Sequence, residues 1–228
     1  MKAIHSLTGP FCGRQFAWAV SIGSLMLLGG CGKSEPHYKV TAEVDVNGKT
    51  YSGSSVLAFP CDRFSQKFPM GVNSCLVKGE AVVVDLSPKG TLFLAFRGKW
   101  GDISSMVISI IEAGGQDPFT GDMNALPNQW TLPESALPTM VTFKDARRPQ
   151  SVEQVDPSDL SATFGSGVRL RSVRVQKTTD PITVGKVEKV LPWVGVGPGA
   201  TYLTGRGGSS PDDGFAGKLQ HDNFKFGV

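Results

Sequence analysis

From residue 38 to residue 46 the chain alternates without a break. Tyr38, Val40, Ala42, Val44 and Val46 share one parity, and Lys39, Thr41, Glu43 and Asp45 share the other. A period of two marks a strand with one buried face and one wet face. Asn47-Gly48 follows, a pair that readily supplies the two positive φ angles of a type I′ turn, and residues 49–59 return as a second strand. A second hairpin reads Ala81-Val-Val-Val-Asp-Leu86, a Ser-Pro-Lys-Gly turn, then Thr91-Leu-Phe-Leu-Ala-Phe96. Its runs are apolar at nearly every position, which predicts a central hairpin covered on both faces. The period then changes. Ile103, Met106, Val107, Ile110 and Ile111 fall at helical spacing, with Asp102 to cap the start and Gly114-Gly115 to end the helix that covers the hairpin.

Residues 117–138 read as a proline-rich loop and residues 140–143 as a strand. Asp156-Pro157-Ser158-Asp159 starts a short helix that Gly165 and Gly167 stop. Residues 168–177 form another strand, but its apolar positions change parity: Val168 and Leu170 are in phase, and so are Val173 and Val175, one residue out of step. A regular strand would turn half of them to water. A β-bulge near Ser172 resolves the conflict and gathers Arg169, Arg171 and Arg174 on the opposite face. Residues 195–217 hold eight glycines and predict an irregular, mobile surface loop, while Phe224-Lys225-Phe226 alternates again and closes a sheet edge. These elements predict one α+β, β-rich domain over residues 38–228, built from antiparallel hairpins with one or two short helices; a β-sandwich is the second choice.

Composition agrees. Gly is 28 of 228 residues, about 12%, and with 15 Pro it argues for many turns and against a helical bundle. The formal charge is +3, of which Lys2 and Arg14 lie in the first thirty residues, where there is no Asp or Glu. A domain so close to neutral is not built to hold nucleic acid by charge.

The N-terminus carries two positive side chains and then the thirteen-residue apolar run Phe16-Ala-Trp-Ala-Val-Ser-Ile-Gly-Ser-Leu-Met-Leu-Leu28. That is short of the roughly 20 residues a spanning helix needs and suits a signal-peptide core. It ends in Leu28-Gly29-Gly30-Cys31, which resembles the lipobox of bacterial lipoproteins. The resemblance implies that residues 1–30 are a cleaved signal peptide and that Cys31 becomes the new N-terminus. Its sulfur then carries diacylglycerol, with palmitate-type chains. Only a thiol can form that thioether, and each buried methylene adds about 0.8 kcal/mol of membrane affinity. The alternative is an uncleaved anchor or an ordinary secretory signal. Gly32 stands where lipoproteins retained at the inner membrane usually carry Asp. In a Gram-negative host this implies the outer membrane, facing the periplasm. In a Gram-positive host it implies the outer face of the cytoplasmic membrane.

After Cys31 only Cys61 and Cys75 remain, an even pair in an oxidising compartment and so a candidate disulfide. Two buried thiols, or part of a metal site, are the rival readings. Six residues, 32–37, join the anchor to the first strand and reach about 20 Å at most, which keeps the domain near the bilayer. The stretches Tyr51-Ser-Gly-Ser-Ser-Val56, Gly79-Glu-Ala-Val-Val-Val-Asp85 and Leu160-Ser-Ala-Thr-Phe-Gly-Ser-Gly-Val-Arg-Leu170 resemble uncharacterised alphaproteobacterial proteins. That group has no established activity, so the resemblance implies no functional residue.

Catalytic groupings are scarce. Beyond Cys31 the histidines are His37, in the tether, and His221, which reads as a surface residue beside Asp222. There is no Gly-x-Ser-x-Gly nucleophile elbow. Gly195-Val-Gly197-Pro-Gly199 lacks the helix a dinucleotide loop requires, and Asp117, Asp122, Asp212 and Asp213 lack calcium-loop spacing. No cofactor or metal is expected. The remaining candidate is cationic. Arg169, Arg171 and Arg174, with Lys177 and with Lys144, Arg147 and Arg148 of the preceding strand, make a patch for lipid phosphate or cell-wall carboxylate if the two strands pair. The competing reading is a solvated face balanced by Glu153, Asp156 and Asp159. The sequence therefore predicts a lipid-anchored, non-catalytic binding or structural module of the cell envelope. An envelope hydrolase and an accessory lipoprotein of a secretion or transport assembly are the alternatives.

Overall fold

The computed structural model describes residues 35–62, 74–196, 201–206 and 210–228. Residues 1–30 and Cys31 lie outside them. In chain order the strands and helices are β1 (His37–Val46), β2 (Lys49–Ala58), β3 (Cys61–Asp62), β4 (Ser74–Cys75), β5 (Gly79–Glu80), β6 (Val82–Asp85), β7 (Thr91–Leu94), α1 (Ile103–Ala113), β8 (Gln129–Thr131), β9 (Met140–Phe143), β10 (Val152–Val155), α2 (Leu160–Phe164), β11 (Val168–Thr178) and β12 (Lys225–Phe226). All strand pairs are antiparallel. The architecture is α+β and β-rich; the described residues form two four-stranded sheets, ordered β2-β1-β11-β8 and β10-β9-β7-β6, and no closed barrel.

The first hairpin forms for the reason the sequence gives. Asn47 and Gly48 have φ of 49° and 84°, so Val46 and Lys49 close the ladder across a two-residue turn. The inner face of β1 packs against the inner face of the second sheet. Tyr38, Val40, Ala42 and Val44 meet Val82, Val84, Leu92 and Leu94 in one cluster, which Met106, Val107, Ile110 and Ile111 of α1 complete. Asp102 caps α1 by accepting from the Ser105 N–H, and Gly114 ends it, as the periodicity predicts.

The second hairpin is covered on both faces, as its unbroken apolar runs require. Phe93, Ala95 and Val141 belong to a second cluster on the far side of the sheet. The cover there is not the helix but the C-terminal segment, through Val187, Leu191, Val194, Leu203, Ala216, Leu219 and Phe224. This corrects the expectation of a mobile surface loop at residues 195–217. Among its described residues, Leu203 and Ala216 are core. Glycine-rich spacing lets the backbone turn often enough to seat isolated apolar side chains, a pattern with no period to detect.

Five of the described strands have no counterpart in the sequence reading: the two-residue β3, β4 and β5, and the longer β8 and β10. β8 lies inside the proline-rich stretch read as loop, where Trp130 packs on Tyr38 and its indole N–H donates to the Ile110 carbonyl. β10 pairs with β9. α2 begins later than the acidic-proline start, with Asp159 as its cap. β12 pairs with β5 at a sheet edge, in line with the alternation of the tail.

Candidate functional site

The parity conflict in β11 is resolved by a bulge. Along β1, Val46, Asp45 and Val44 oppose Val168, Arg169 and Leu170, but Glu43 opposes Ser172. Arg171 is the extra residue, one position from where the pattern places it. Val175, Val173, Leu170 and Val168 thereby face Val40, Ala42, Val44 and Val46. Val173 is fully buried, whereas Leu170 is only half-buried, less than its parity predicts.

The same bulge brings the three arginines together with two carboxylates of β1. Arg169 reaches Asp45 through Nε (3.2 Å) and Nη2 (3.1 Å). Arg174 donates to Glu43 Oε1, and the Ser172 hydroxyl donates to Glu43 Oε2 at 3.1 Å. Arg171 has only longer contacts: 3.4 Å to the Thr50 hydroxyl, 3.6 Å to Asp45 Oδ1 and 3.7 Å to Glu43 Oε2. The Thr50 hydroxyl donates to Asp45 at 2.8 Å. That bond, aided by the Arg169 and Arg171 guanidiniums, holds the Asp45 carboxyl below its usual value against the opposing effect of burial. The network's stabilisation is therefore complete above the ordinary aspartate range and is lost as pH falls through the lower folded value.

Exposed ion pairs contribute about 0–1 kcal/mol each, so orientation matters more here than stability. Asp45 fixes Arg169 and Glu43 fixes Arg174, while Arg171 stands at longer range from both. Arg169, Arg171 and Arg174 remain 78%, 58% and 40% exposed, with further N–H donors directed outward. With Lys39 on the same parity of β1, four cations face two carboxylates.

The wider cationic patch does not form. β9 pairs with β7 and β10, and β11 pairs with β1 and β8, so Lys144, Arg147 and Arg148 belong to the other sheet. Lys144 bonds Glu153 at 2.6 Å and Arg148 lies 3.5 Å from Asp145. Lys177 instead donates to the carbonyls of Asn124 and Leu126. Of the expected counter-charges, Glu153 does pair with Lys144, whereas Asp156 accepts from Ser158 and Asp159 caps α2. Glu43 and Asp45 balance the stripe, and their alternate placement on the wet parity of β1 was the available signal.

Cys61 and Cys75 are directly opposed in the β3–β4 pair. The Leu76 N–H donates to the Pro60 carbonyl, so Cys61 and Cys75 form a non-hydrogen-bonded pair. Such pairs have Cα atoms about 4.5 Å apart, within the roughly 4.4–6.8 Å a disulfide spans. Non-reducing peptide mapping of protein taken from an oxidising compartment is expected to link them. Cys75→Ala should then cost about 3 kcal/mol, and Cys61→Ala/Cys75→Ala about the same as one change alone. Two free thiols would refute the bridge.

His221 is half-buried rather than a surface residue. Its ring lies 5.1 Å from Trp193, and among the described residues its buried Nδ1 has no hydrogen-bond partner. Burial pushes its pKa down, against the attraction of Asp222, whose own carboxyl is pushed up by burial. With Lys225 they line a cavity of about 290 Å³ whose described lining holds no serine or cysteine nucleophile. Among the described residues, no group of three or more His, Cys, Asp or Glu is placed to hold a metal ion. None of the described helices is long and apolar enough to cross a membrane. No known protein family matches the chain, and searches of curated proteins and of solved structures find no match either.

Proposed function

We propose that this chain is a lipid-anchored binding module of the bacterial envelope, holding an anionic cell-wall polymer on the arginine-bearing face of its first sheet. The observation that supports this most is the bulge at Arg171, which places three guanidiniums on one exposed face, Arg169 bonded to Asp45 and Arg174 to Glu43. Arginine in that arrangement takes carboxylate or phosphate through paired N–H donors.

Mass spectrometry of protein from native membranes is expected to find the N-terminus at Cys31 with its acyl chains. For the ligand, purified sacculi should retain the protein, and R169Q/R171Q/R174Q should weaken retention at least tenfold. Retention should fall with added salt, since exposed charges are screened beyond about 10 Å at 0.1 M. Equal retention of variant and parent would overturn the reading. Arginine-dependent binding to phosphatidylglycerol vesicles without binding to sacculi would replace the wall with the membrane.

A further inference from the structure

The bulge also opens a small cavity, and the geometry points to a binding site for a zwitterionic, amino-acid-sized group in it. This rests on reading the chain as a binding module, but not on its polymer. Beyond Thr131 the chain leaves the β8–β11 ladder, the last contact being the Leu132 N–H to the Val173 carbonyl at 2.8 Å. Between that departing segment and the bulged part of β11 lies a cavity of about 190 Å³. Its walls include Leu132, Leu137, Pro157 and Leu170, with Arg171 and Glu134 as the two charged residues.

Three features define what fits. The volume corresponds to about six waters at ~30 Å³ each, below the roughly 300–1,000 Å³ of pockets for drug-sized molecules. Leu137, Pro157 and Leu170 are each only partly covered, leaving an apolar floor open to a ligand. Leu170 is thus half-buried where its strand parity predicts full burial: its side chain borders the cavity as well as the core. The charges are also of opposite sign and available. Arg171 is the stripe arginine with no contact shorter than 3.4 Å. Among the described residues, the Glu134 side chain has neither a hydrogen bond nor an ion pair. A lone anion would meet Glu134 and a lone cation would meet Arg171. A group with a carboxylate toward Arg171, an ammonium toward Glu134 and an aliphatic body over the leucines satisfies all three features. Free amino acids and short peptides share that chemistry.

Leucine titrated into the folded protein is the test, followed by amide chemical shifts or by heat. Leucine is expected to shift the amides of Thr131, Leu132, Glu134 and residues 170–173, with R171Q and E134Q each weakening it about tenfold or more. N-Acetylleucine, which lacks the ammonium, should not be weakened by E134Q and should bind more tightly as the like charge is removed; leucine amide, which lacks the carboxylate, should respond in the same way to R171Q. Tighter binding of leucyl-leucine than of leucine identifies a peptide end, and the reverse a free amino acid. R169Q should leave leucine binding intact while lowering retention on sacculi, so the two readings fail separately. No shift with millimolar leucine or leucyl-leucine, or equal binding by parent and both cavity variants, would overturn the site.

Discussion

Gly53→Ala is expected to destabilise the protein by about 3 kcal/mol or more, or to prevent folding. Gly53 lies in β2 opposite Ala42, and a Cβ built on it would sit 1.9 Å from the Val83 carbonyl oxygen and 2.7 Å from its carbon. Both atoms are backbone, so no side chain can rotate away. The two sheets must separate here, and overpacking that forces backbone shifts typically costs 1–3 kcal/mol or more. Urea unfolding followed by circular dichroism measures the loss. Gly115→Ala is the control: its Cβ would meet nothing within 4 Å, and its φ of 81° costs only about 1–2 kcal/mol. Equal losses at the two positions would mean that close sheet approach is not what reserves position 53 for glycine.

Glu80→Ala should cost about 3–5 kcal/mol, the range for stranding buried partners of a charged group. Glu80 is fully buried in the short strand β5. Its carboxylate accepts from three successive backbone N–H groups, those of Gly185, Lys186 (2.7 Å) and Val187 (3.2 Å). Alanine leaves three donors without an acceptor and releases the segment that carries Val187, Leu191 and Val194 onto the second sheet. Glu80→Gln keeps one acceptor oxygen but aims an amide N–H₂ at donors, so an intermediate loss follows. Hydrogen exchange at residues 185–187 should accelerate in both variants, more in alanine. Unchanged exchange there, or a loss under 1 kcal/mol, would contradict the role.

Neither effect could be read from the chain alone, although each left a trace. A carboxylate inside Gly79-Glu80-Ala81-Val82 is out of place in an apolar strand, but nothing local names residues 185–187, over a hundred positions away, as its partner. Gly53 looks like any glycine in a Ser-rich strand until β6 passes beneath it. Glu134 opens a single 3-10 turn, Glu134–Ala136, too short to show a period, so its cavity was invisible. Glu43 and Asp45 were visible as the wet side of β1, but which strand would lie beside them was not, and the arginine stripe was assigned the wrong neighbours.

What the sequence determined by itself was local: the alternation of β1, the Asn47-Gly48 turn, the helix from Ile103 with its caps, and the phase slip in β11 that requires a bulge. These follow from side-chain period and backbone sterics, which act over a few residues. The tertiary structure alone decided which strands pair, which carboxylates hold the arginines, and that a glycine-rich tail covers the second sheet. Those outcomes depend on burying two apolar faces of one sheet at once, a condition only the whole chain can meet.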